Sequence, residues 1–353
     1  MDLVLHIGSG KTGTTSIQQF LKQNRSRLAQ LGTLVPREPG MGRHVKVGLY
    51  IKPDEDLRRR LTWHGMEYSS PAEFREDFRT RLSAEIDESG LSRVLLTDEG
   101  VYASNEEAVA RLRDLVADVA QSWRLVVYLR RQDEHVCSNY QQKVKAGCVE
   151  RLSDWVLRDM TVLYDYATRL SLFDRMLAPS ELVVRRFERE SFVEGSLFQD
   201  FLDAVGIDVP SDDLDQVPRR NPSLDAESVE FLRLLNLHRV EDEGATADQV
   251  DNRGFLRILM KASSGPTLTL PEPLRDAFMA QWEESNRAVA KNFLGDGSGQ
   301  LFRAPRKAQG TTPEQRLDPE RLPHFFELLE LPEEIHAPLR RIAEREARVP
   351  DPV

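Results

Sequence analysis

The first part of the chain alternates short apolar runs with longer segments whose apolar residues recur at helical spacing. Consecutive apolar residues predict buried strands, because a strand covered on both faces has no polar side. The predicted strands are 3–7, 33–36, 93–97, 124–129 and 182–187. Helical spacing predicts helices between them, and Pro71 suits the first turn of the helix 71–89. This order predicts an α/β fold in which helices flank a parallel sheet.

The pattern becomes mainly helical after residue 190, with predicted helices over 198–205, 225–237 and 271–292. We expect one α/β domain over 1–302 and a C-terminal appendix over 303–353 that is helical or partly disordered, because the appendix is rich in proline and charge. Segment 37–70 has no regular pattern and is long for a connection, which indicates either a function of its own or small helices.

A loop of Gly, Ser and Thr with one lysine joins the first strand to the first helix. Its sequence is Gly8-Ser9-Gly10-Lys11-Thr12-Gly13-Thr14-Thr15-Ser16. A strand, a loop and a helix in this order direct backbone N–H groups and the positive end of the helix at one point. Glycines let the backbone approach an anion, and Lys11 adds a charge. The junction predicts a phosphate or sulfate site, and a tight turn that merely needs glycine is the alternative.

A nucleotide-triphosphate P-loop would need its first glycine at the position of Leu5, which lies inside the predicted strand. The run from Lys11 to Ser16 instead resembles the 5′-phosphosulfate loop of sulfotransferases, whose donor is 3′-phosphoadenosine 5′-phosphosulfate (PAPS). Many members carry proline before the lysine, where this chain has Gly10. The resemblance, closest to bacterial and carbohydrate sulfotransferases, implies that the following residues bind the donor: Gly10, Lys11, Thr12, Gly13, Thr14, Thr15 and Ser16.

A second motif follows the fourth predicted strand. Arg130 stands at the strand end and Ser138 eight residues later, a spacing that is similar to the 3′-phosphate signature of the same family. Arginine offers phosphate a planar fork of donors, and the serine adds a hydroxyl. The family's usual Arg-Asp-Pro is Arg-Arg-Gln here. The resemblance also implies that Arg219 or Arg220, in a late basic loop, closes over this phosphate; a solvated turn is the alternative.

Composition narrows the class of protein. The chain of 353 residues has 40% apolar and 30% charged residues, which suffices for a core, and its net charge of −10 argues against a nucleic-acid-binding protein. The two cysteines, Cys137 and Cys148, make no disulfide framework, and no apolar run approaches the ~20 residues of a membrane-spanning helix. With the first strand starting almost at Met1, we expect no leader and a cytoplasmic location.

Sulfuryl transfer depends on positioning and charge stabilisation, so Lys11 is expected to stabilise the leaving oxygen. The acceptor hydroxyl or amine needs a base. Glu99 is the first candidate because it follows a strand end, and His44 and His64 come next. Segment 37–70, with Trp63, Tyr68 and its arginines, is expected to recognise the acceptor, which by resemblance is a saccharide. No metal is expected, because no cluster of ligand-forming residues has metal-binding spacing.

Two other functions stay open. In a P-loop kinase or ATPase, Asp98 would hold Mg²⁺ and Glu99 would activate water, since Val94–Glu99 imitates a Walker B strand. A protein that binds PAPS without catalysis is the third possibility.

Overall fold

The computed structural model describes residues 1–217, 223–246, 249–305 and 310–349, and it divides into two compact units. The first comprises Met1–Arg130, Thr161–Arg219 and Glu284–Ala304; the second comprises Arg131–Met160, Arg220–Glu283 and Pro305–Val353. This division differs from the predicted domain over 1–302, because two internal segments belong with the C-terminal region instead of with the sheet.

The first unit is built on a parallel sheet of five strands in the order β2-β3-β1-β4-β5, which confirms the predicted α/β class. The strands are β1 (Asp2–His6), β2 (Thr33–Leu34), β3 (Arg93–Thr97), β4 (Ser122–Leu129) and β5 (Glu181–Arg186). In register, Leu5 of β1 lies between Leu96 of β3 and Leu125 of β4. The central strand of the sheet therefore leads into the glycine-rich loop.

Helices of the first unit occupy the connections between strands. They are α1 (Thr14–Gln23), α2 (Arg25–Gln30), α3 (Val45–Ile51), α4 (Asp54–Arg58), α5 (Leu61–His64), α6 (Pro71–Ser89), α7 (Glu106–Val119), α10 (Thr161–Tyr164), α11 (Tyr166–Leu177), α12 (Leu197–Ala204) and, except for its first residue, α16 (Glu283–Phe293). Segment 37–70 thus contains small helices, one of the two outcomes expected for it.

Helix α1 is fixed by its apolar face. Ile17, Phe20 and Leu21 are fully buried in a core cluster that includes Tyr128 of β4. The ring of Phe20 also stacks on Phe198 of α12, with centroids 4.6 Å apart. Burial of a large apolar side chain contributes roughly 1.5–3 kcal/mol, so this face holds the helix and the loop before it against the sheet.

The aromatic residues of segment 37–70 pack internally. Trp63 is buried, and its ring packs edge-on against Phe74 of α6. Tyr68 contacts Phe74 as well, and its hydroxyl donates a hydrogen bond of 2.6 Å to Asp77. These contacts place Trp63 in the core of the unit and the half-buried Tyr68 beside it, and recognition of an acceptor by these residues stays a prediction.

The second unit is mainly helical. Its elements are α8 (Gln132–Lys145), α9 (Leu152–Trp155), α13 (Ala226–Glu241), α14 (Arg253–Ala262), β6 (Thr267–Leu268), α15 (Glu272–Ala280), β7 (Thr311–Thr312), α17 (Leu322–Leu328) and α18 (His336–Glu346). Strands β6 and β7 pair in parallel. The helical C-terminal part that the sequence predicts is therefore present.

A buried polar network explains why the C-terminal region belongs to this unit. Arg233 of α13 pairs with Glu230 at 2.6 Å and with Glu346 of α18 at 2.8 Å. The amide of Gln315 donates to Glu230 and to the hydroxyl of Tyr140, at 2.9 and 2.7 Å. Buried charged groups need such partners, so Gln315 and Glu346 join the C-terminal region to the helices of this unit.

The helix expected over 271–292 is two helices, α15 and α16. The chain leaves α15 through a tight turn in which the N–H of Trp282 donates to the carbonyl of Met279 at 3.0 Å. Apolar spacing continues across this turn, which is why the sequence alone suggested one element. Across the described residues, no helix is both long enough and apolar enough to cross a membrane.

Candidate anion-binding site

The glycine-rich loop is built from left-handed backbone conformations. Gly10, Lys11 and Gly13 have φ angles of 72°, 50° and 74°. A β-carbon at Gly13 would lie 2.6 Å from Cδ2 of Leu197, so both the backbone angle and the space require glycine there. The loop is held to the sheet by Ser9, whose hydroxyl donates to the carbonyl of Tyr128 at 3.1 Å.

Helix α1 starts at this loop without a side-chain cap. Gly13 is the N-cap residue: its carbonyl accepts the N–H of Ile17 at 3.0 Å, but it has no side chain that could accept from the N–H groups of the first turn. The first N–H groups of a helix have no intrahelical acceptor and carry the positive end of the helix dipole. The hydroxyl of Thr12 is fully buried beside them and has no hydrogen-bond partner among the described residues. The loop and helix therefore offer donors suited to an anion.

Lys11 and Arg130 bring positive charge to the loop. Nη1 of Arg130 donates to the carbonyl of Lys11 at 3.2 Å, and the hydroxyl of Tyr166 donates to the carbonyl of Arg130 at 2.6 Å. The pKa of Lys11 is lowered, first by desolvation and then by Arg130, while Glu99 opposes the change. An anion bound here would offset the repulsion between Lys11 and Arg130.

Glu99 lies across the loop and is held by two donors. Its Oε2 accepts a hydrogen bond of 2.5 Å from the hydroxyl of Thr14, the first residue of α1. Its Oε1 is 3.3 Å from Nη1 of Arg43. The Glu99 side chain keeps 30% of its surface exposed, so it remains open to a reactant. Thr14 was expected to donate to a bound anion, but its hydroxyl is directed to this carboxylate.

Asp98, next to Glu99, is buried and fully engaged. Its Oδ1 accepts from Nε of Arg43 at 2.7 Å and from the N–H of Gly100 at 2.9 Å, and its Oδ2 accepts from the N–H of Gly48 at 2.7 Å. Burial raises the pKa of Asp98, and Arg43 and the two backbone donors oppose that rise. The carboxylate thus organises the protein around it and presents no vacant oxygen to a metal ion.

The two histidine candidates occupy different environments. His44 is fully buried, and its Nδ1 accepts the N–H of Thr97 at 3.1 Å. Desolvation lowers the pKa of His44 to about 3, with a further contribution from Arg25, so the ring is neutral. This placement gives His44 a structural role and argues against its expected role as a base. His64 is exposed at the end of α5.

The remaining predicted site residues lie in different parts of the chain. Thr15 is exposed and Ser16 half-buried in the first turn of α1, beside the loop. Ser138 lies on α8, which belongs to the second unit, whereas Arg130 ends the first segment of the first unit. Arg219 and Arg220 lie outside the described residues. No group of three or more potential metal-ligating side chains occurs in the part of the chain that the structure describes.

Arg43 is the principal residue that the sequence analysis did not single out. Its partners Asp98 and Glu99 are 55 and 56 positions away, so no local pattern connects them. The one available signal was the expectation that an aspartate at the end of a buried strand needs a cation or several N–H donors.

Comparison with known proteins adds one relative. No protein-family model and no solved structure matches the chain. An uncharacterized protein of Archaeoglobus fulgidus is 30% identical over 178 residues, which make up 49% of this chain and 46% of that protein. The similarity therefore spans about half the length of that relative.

Proposed function

We propose that this protein transfers a sulfuryl group from PAPS to a hydroxyl or amine of an acceptor, with a saccharide as the first class to test. The observation that carries the proposal is the loop itself. Its single lysine, the uncapped start of α1 and the guanidinium of Arg130 meet at the end of the central strand, and a half-exposed carboxylate, Glu99, faces them.

The proposed reaction assigns a role to each group. The bond between sulfur and the bridging oxygen of the 5′-phosphate breaks, and its electron pair stays on that oxygen, which Lys11 and the loop N–H groups stabilise. The acceptor oxygen forms the new bond to sulfur, and its proton passes to Glu99. Such pre-positioned donors typically contribute ~10²–10³-fold each to turnover. The products are the sulfated acceptor and 3′-phosphoadenosine 5′-phosphate (PAP).

Recognition of the 3′-phosphate is assigned to Arg130 within the first unit. Its side chain is joined to the loop through the Lys11 carbonyl, which supports a role in holding the same ligand. Ser138, Arg219 and Arg220 enter the proposal through the family resemblance alone. The two cysteines, both within the described part of the chain, are thiols, which supports action in the cytoplasm.

The kinase or ATPase alternative uses Asp98 as a Mg²⁺ ligand. Both oxygens of that carboxylate already accept hydrogen bonds, from Arg43 and from two backbone N–H groups. A metal ion at Asp98 would have to displace the guanidinium of Arg43 and compete with the two backbone N–H donors for the same carboxylate, and a buried donor that loses its acceptor costs about 1–3 kcal/mol. This cost favours sulfuryl transfer over Mg-dependent phosphoryl transfer.

The direct test is calorimetric titration with PAP, and with ATP in the presence and absence of Mg²⁺. We expect magnesium-independent binding of PAP and no comparable binding of ATP. K11A should lower sulfuryl transfer by at least ~10²-fold, and K22A, which alters an exposed lysine further along α1, is the matched control. R130A should weaken PAP by at least ~30-fold, because losing a charge-assisted contact costs about 2–5 kcal/mol.

Adenosine 5′-phosphosulfate, which lacks the 3′-phosphate, separates two roles of Arg130. R130A should leave the affinity for this ligand nearly unchanged, and equal weakening of both ligands would mean that the arginine supports the loop only. Magnesium-dependent binding of ATP in preference to PAP would refute the proposed function. Tight PAP binding without transfer to any member of a saccharide panel would favour the non-catalytic protein.

A further inference from the structure

Segment 37–70 contacts the candidate site through the side chain of Arg43. Three features of the structure fix this side chain: a backbone clamp beside it, a buried carboxylate beneath it and glycines around it.

The clamp joins residue 44 to the end of β3. The N–H of His44 donates to the carbonyl of Thr97 at 3.0 Å, and the N–H of Thr97 donates to Nδ1 of His44 at 3.1 Å. These reciprocal bonds are buried, and the neutral ring of His44 keeps its acceptor at all but acidic pH. Because residue 43 is adjacent, its backbone is held at the strand end that carries Asp98 and Glu99.

Asp98 then fixes the direction of the guanidinium. Nε of Arg43 donates to Oδ1 of the buried Asp98 at 2.7 Å, so Nη1 and Nη2 are available for other partners. Nη1 faces Glu99 at 3.3 Å. A β-carbon at Gly100 would lie 2.7 Å from Nη2 of Arg43, and one at Gly48 would lie 2.4 Å from Oδ2 of Asp98. The two glycines therefore leave room for the pair, and the Arg43 guanidinium is anchored at Nε as long as Asp98 is present.

Each oxygen of the Glu99 carboxylate consequently faces one donor. The Thr14 hydroxyl, at the start of α1, donates to one oxygen of the Glu99 carboxylate, and Arg43 of segment 37–70 faces the other oxygen. A carboxylate with both oxygens oriented has fewer rotamers to sample before it accepts a proton, and displacement by about 1 Å can cost ~10²-fold in rate.

We propose that Arg43 is a positioning residue for Glu99: anchored on Asp98, it holds the Glu99 carboxylate in the orientation that proton transfer from the acceptor requires. This inference rests on the proposed function. It assigns segment 37–70 a part in the chemistry of the base, distinct from recognition of the acceptor by Trp63 and Tyr68.

The principal variant is R43Q, which removes the outer nitrogens while leaving an amide N–H to serve Asp98. We expect kcat for sulfuryl transfer to fall at least ~10-fold, with the affinity for PAP changed by less than ~2-fold, because the donor contacts are untouched. R43K should recover part of kcat, since a cation again faces Glu99. R58Q, which alters an exposed arginine at the end of α4, is the matched control and should keep parental kcat.

A double-variant cycle separates positioning from general structural support. In the E99Q background, R43Q should cause no further loss of kcat, because the group through which Arg43 acts is already disabled. A further loss of the same size as in the parent would overturn the proposal. Urea unfolding of each variant shows whether it is folded; should R43Q be unfolded, R43K carries the cycle.

A crystal structure of R43Q gives a readout that does not depend on activity. We expect the Glu99 carboxylate to leave the Thr14 hydroxyl or to occupy several orientations. An unchanged Glu99 would overturn the inference even if PAPS turnover were established. Conversely, a parent protein that binds no PAP would refute the proposed function, while a displaced Glu99 would still confirm that Arg43 positions this carboxylate.

Discussion

Replacing Asp98 by alanine is expected to be the most destabilising single change near the candidate site. The carboxylate accepts three hydrogen bonds, from Gly48, Gly100 and Arg43. D98A would leave all three donors without this acceptor. A buried donor without a partner costs about 1–3 kcal/mol.

The size of the effect follows from the exposure of each donor. Gly48 is buried, so its N–H would stay unsatisfied, whereas Gly100 is half-buried and gains partial access to water. The Arg43 side chain is 39% exposed and can turn toward solvent. We therefore expect D98A to lower the free energy of unfolding by about 2–4 kcal/mol, because the buried Gly48 N–H bears the full cost of a lost acceptor, the Gly100 N–H bears part of it and the exposed Arg43 adds little. D98N retains one oxygen and should lose about 1–3 kcal/mol.

Urea unfolding, followed by circular dichroism and tryptophan fluorescence, measures these differences. E55A is the control, because Glu55 is 88% exposed and its side chain only approaches Arg59 at 4.0 Å; we expect a change below ~0.5 kcal/mol. A loss below ~1 kcal/mol for D98A would refute the reasoning. If D98A also abolished Mg²⁺-dependent ATP binding while stability stayed unchanged, Asp98 would be a metal ligand and the kinase alternative would gain support.

Three further predictions concern the loop and the buried histidines. Because desolvation and Arg130 lower the pKa of Lys11, the affinity for PAP should decline as pH rises through that lowered pKa, at a lower pH than for an ordinary lysine of pKa ~10.4. In calorimetric titrations at several pH values, K11R should make the affinity less dependent on pH. G13A should reduce stability by at least ~1 kcal/mol and lower the affinity for PAP, since φ of Gly13 is 74° and the new β-carbon would meet Leu197. The control is G90A, where φ has the same sign but the space is open; it should reduce stability without changing the affinity for PAP. Equal PAP affinities for the parent and G13A would contradict the loop assignment. Burial lowers the pKa of both His6 and His44 to about 3, so the unfolded state takes up protons first as pH falls below ~6.5, and each histidine should cost up to about 1.4 kcal/mol of stability per pH unit between ~6 and ~4. The variant H44N retains an acceptor for the N–H of Thr97 and should reduce the slope of stability against pH. An unchanged slope would mean that the His44 ring is accessible to protons in the folded state.

Local patterns were sufficient to predict the sheet. Strands β3 and β4 contain runs of apolar residues whose burial can be inferred without knowledge of their neighbours, and the predicted strands 93–97 and 124–129 agree closely with them. The loop between β1 and α1 was equally accessible, because glycines followed by an amphipathic helix form a local signal.

Contacts between distant residues explain what the sequence did not reveal. Thr14 lies in the loop motif, but only the fold shows that its hydroxyl meets Glu99, 85 positions away. The clamp between His44 and Thr97 likewise joins residues 53 positions apart and gives an apparently exposed histidine a buried place. The apolar spacing continues across the break between α15 and α16, so the sequence pattern does not indicate it. The pairing of Arg233 with Glu346 could not be predicted from either segment alone.

The position of β1 has a consequence for how the site responds to heat. Its backbone is hydrogen-bonded to β3 on one side and to β4 on the other, whereas β2 is a two-residue strand at the sheet edge. Fraying of the edge leaves β1 untouched, so the loop can come apart only when the two central ladders separate. We therefore expect the loop to become ordered during folding and to stay ordered without a ligand. Amide hydrogens of β1 should exchange with solvent among the slowest in the first unit, and the capacity to bind an anion should persist until that unit melts as a whole.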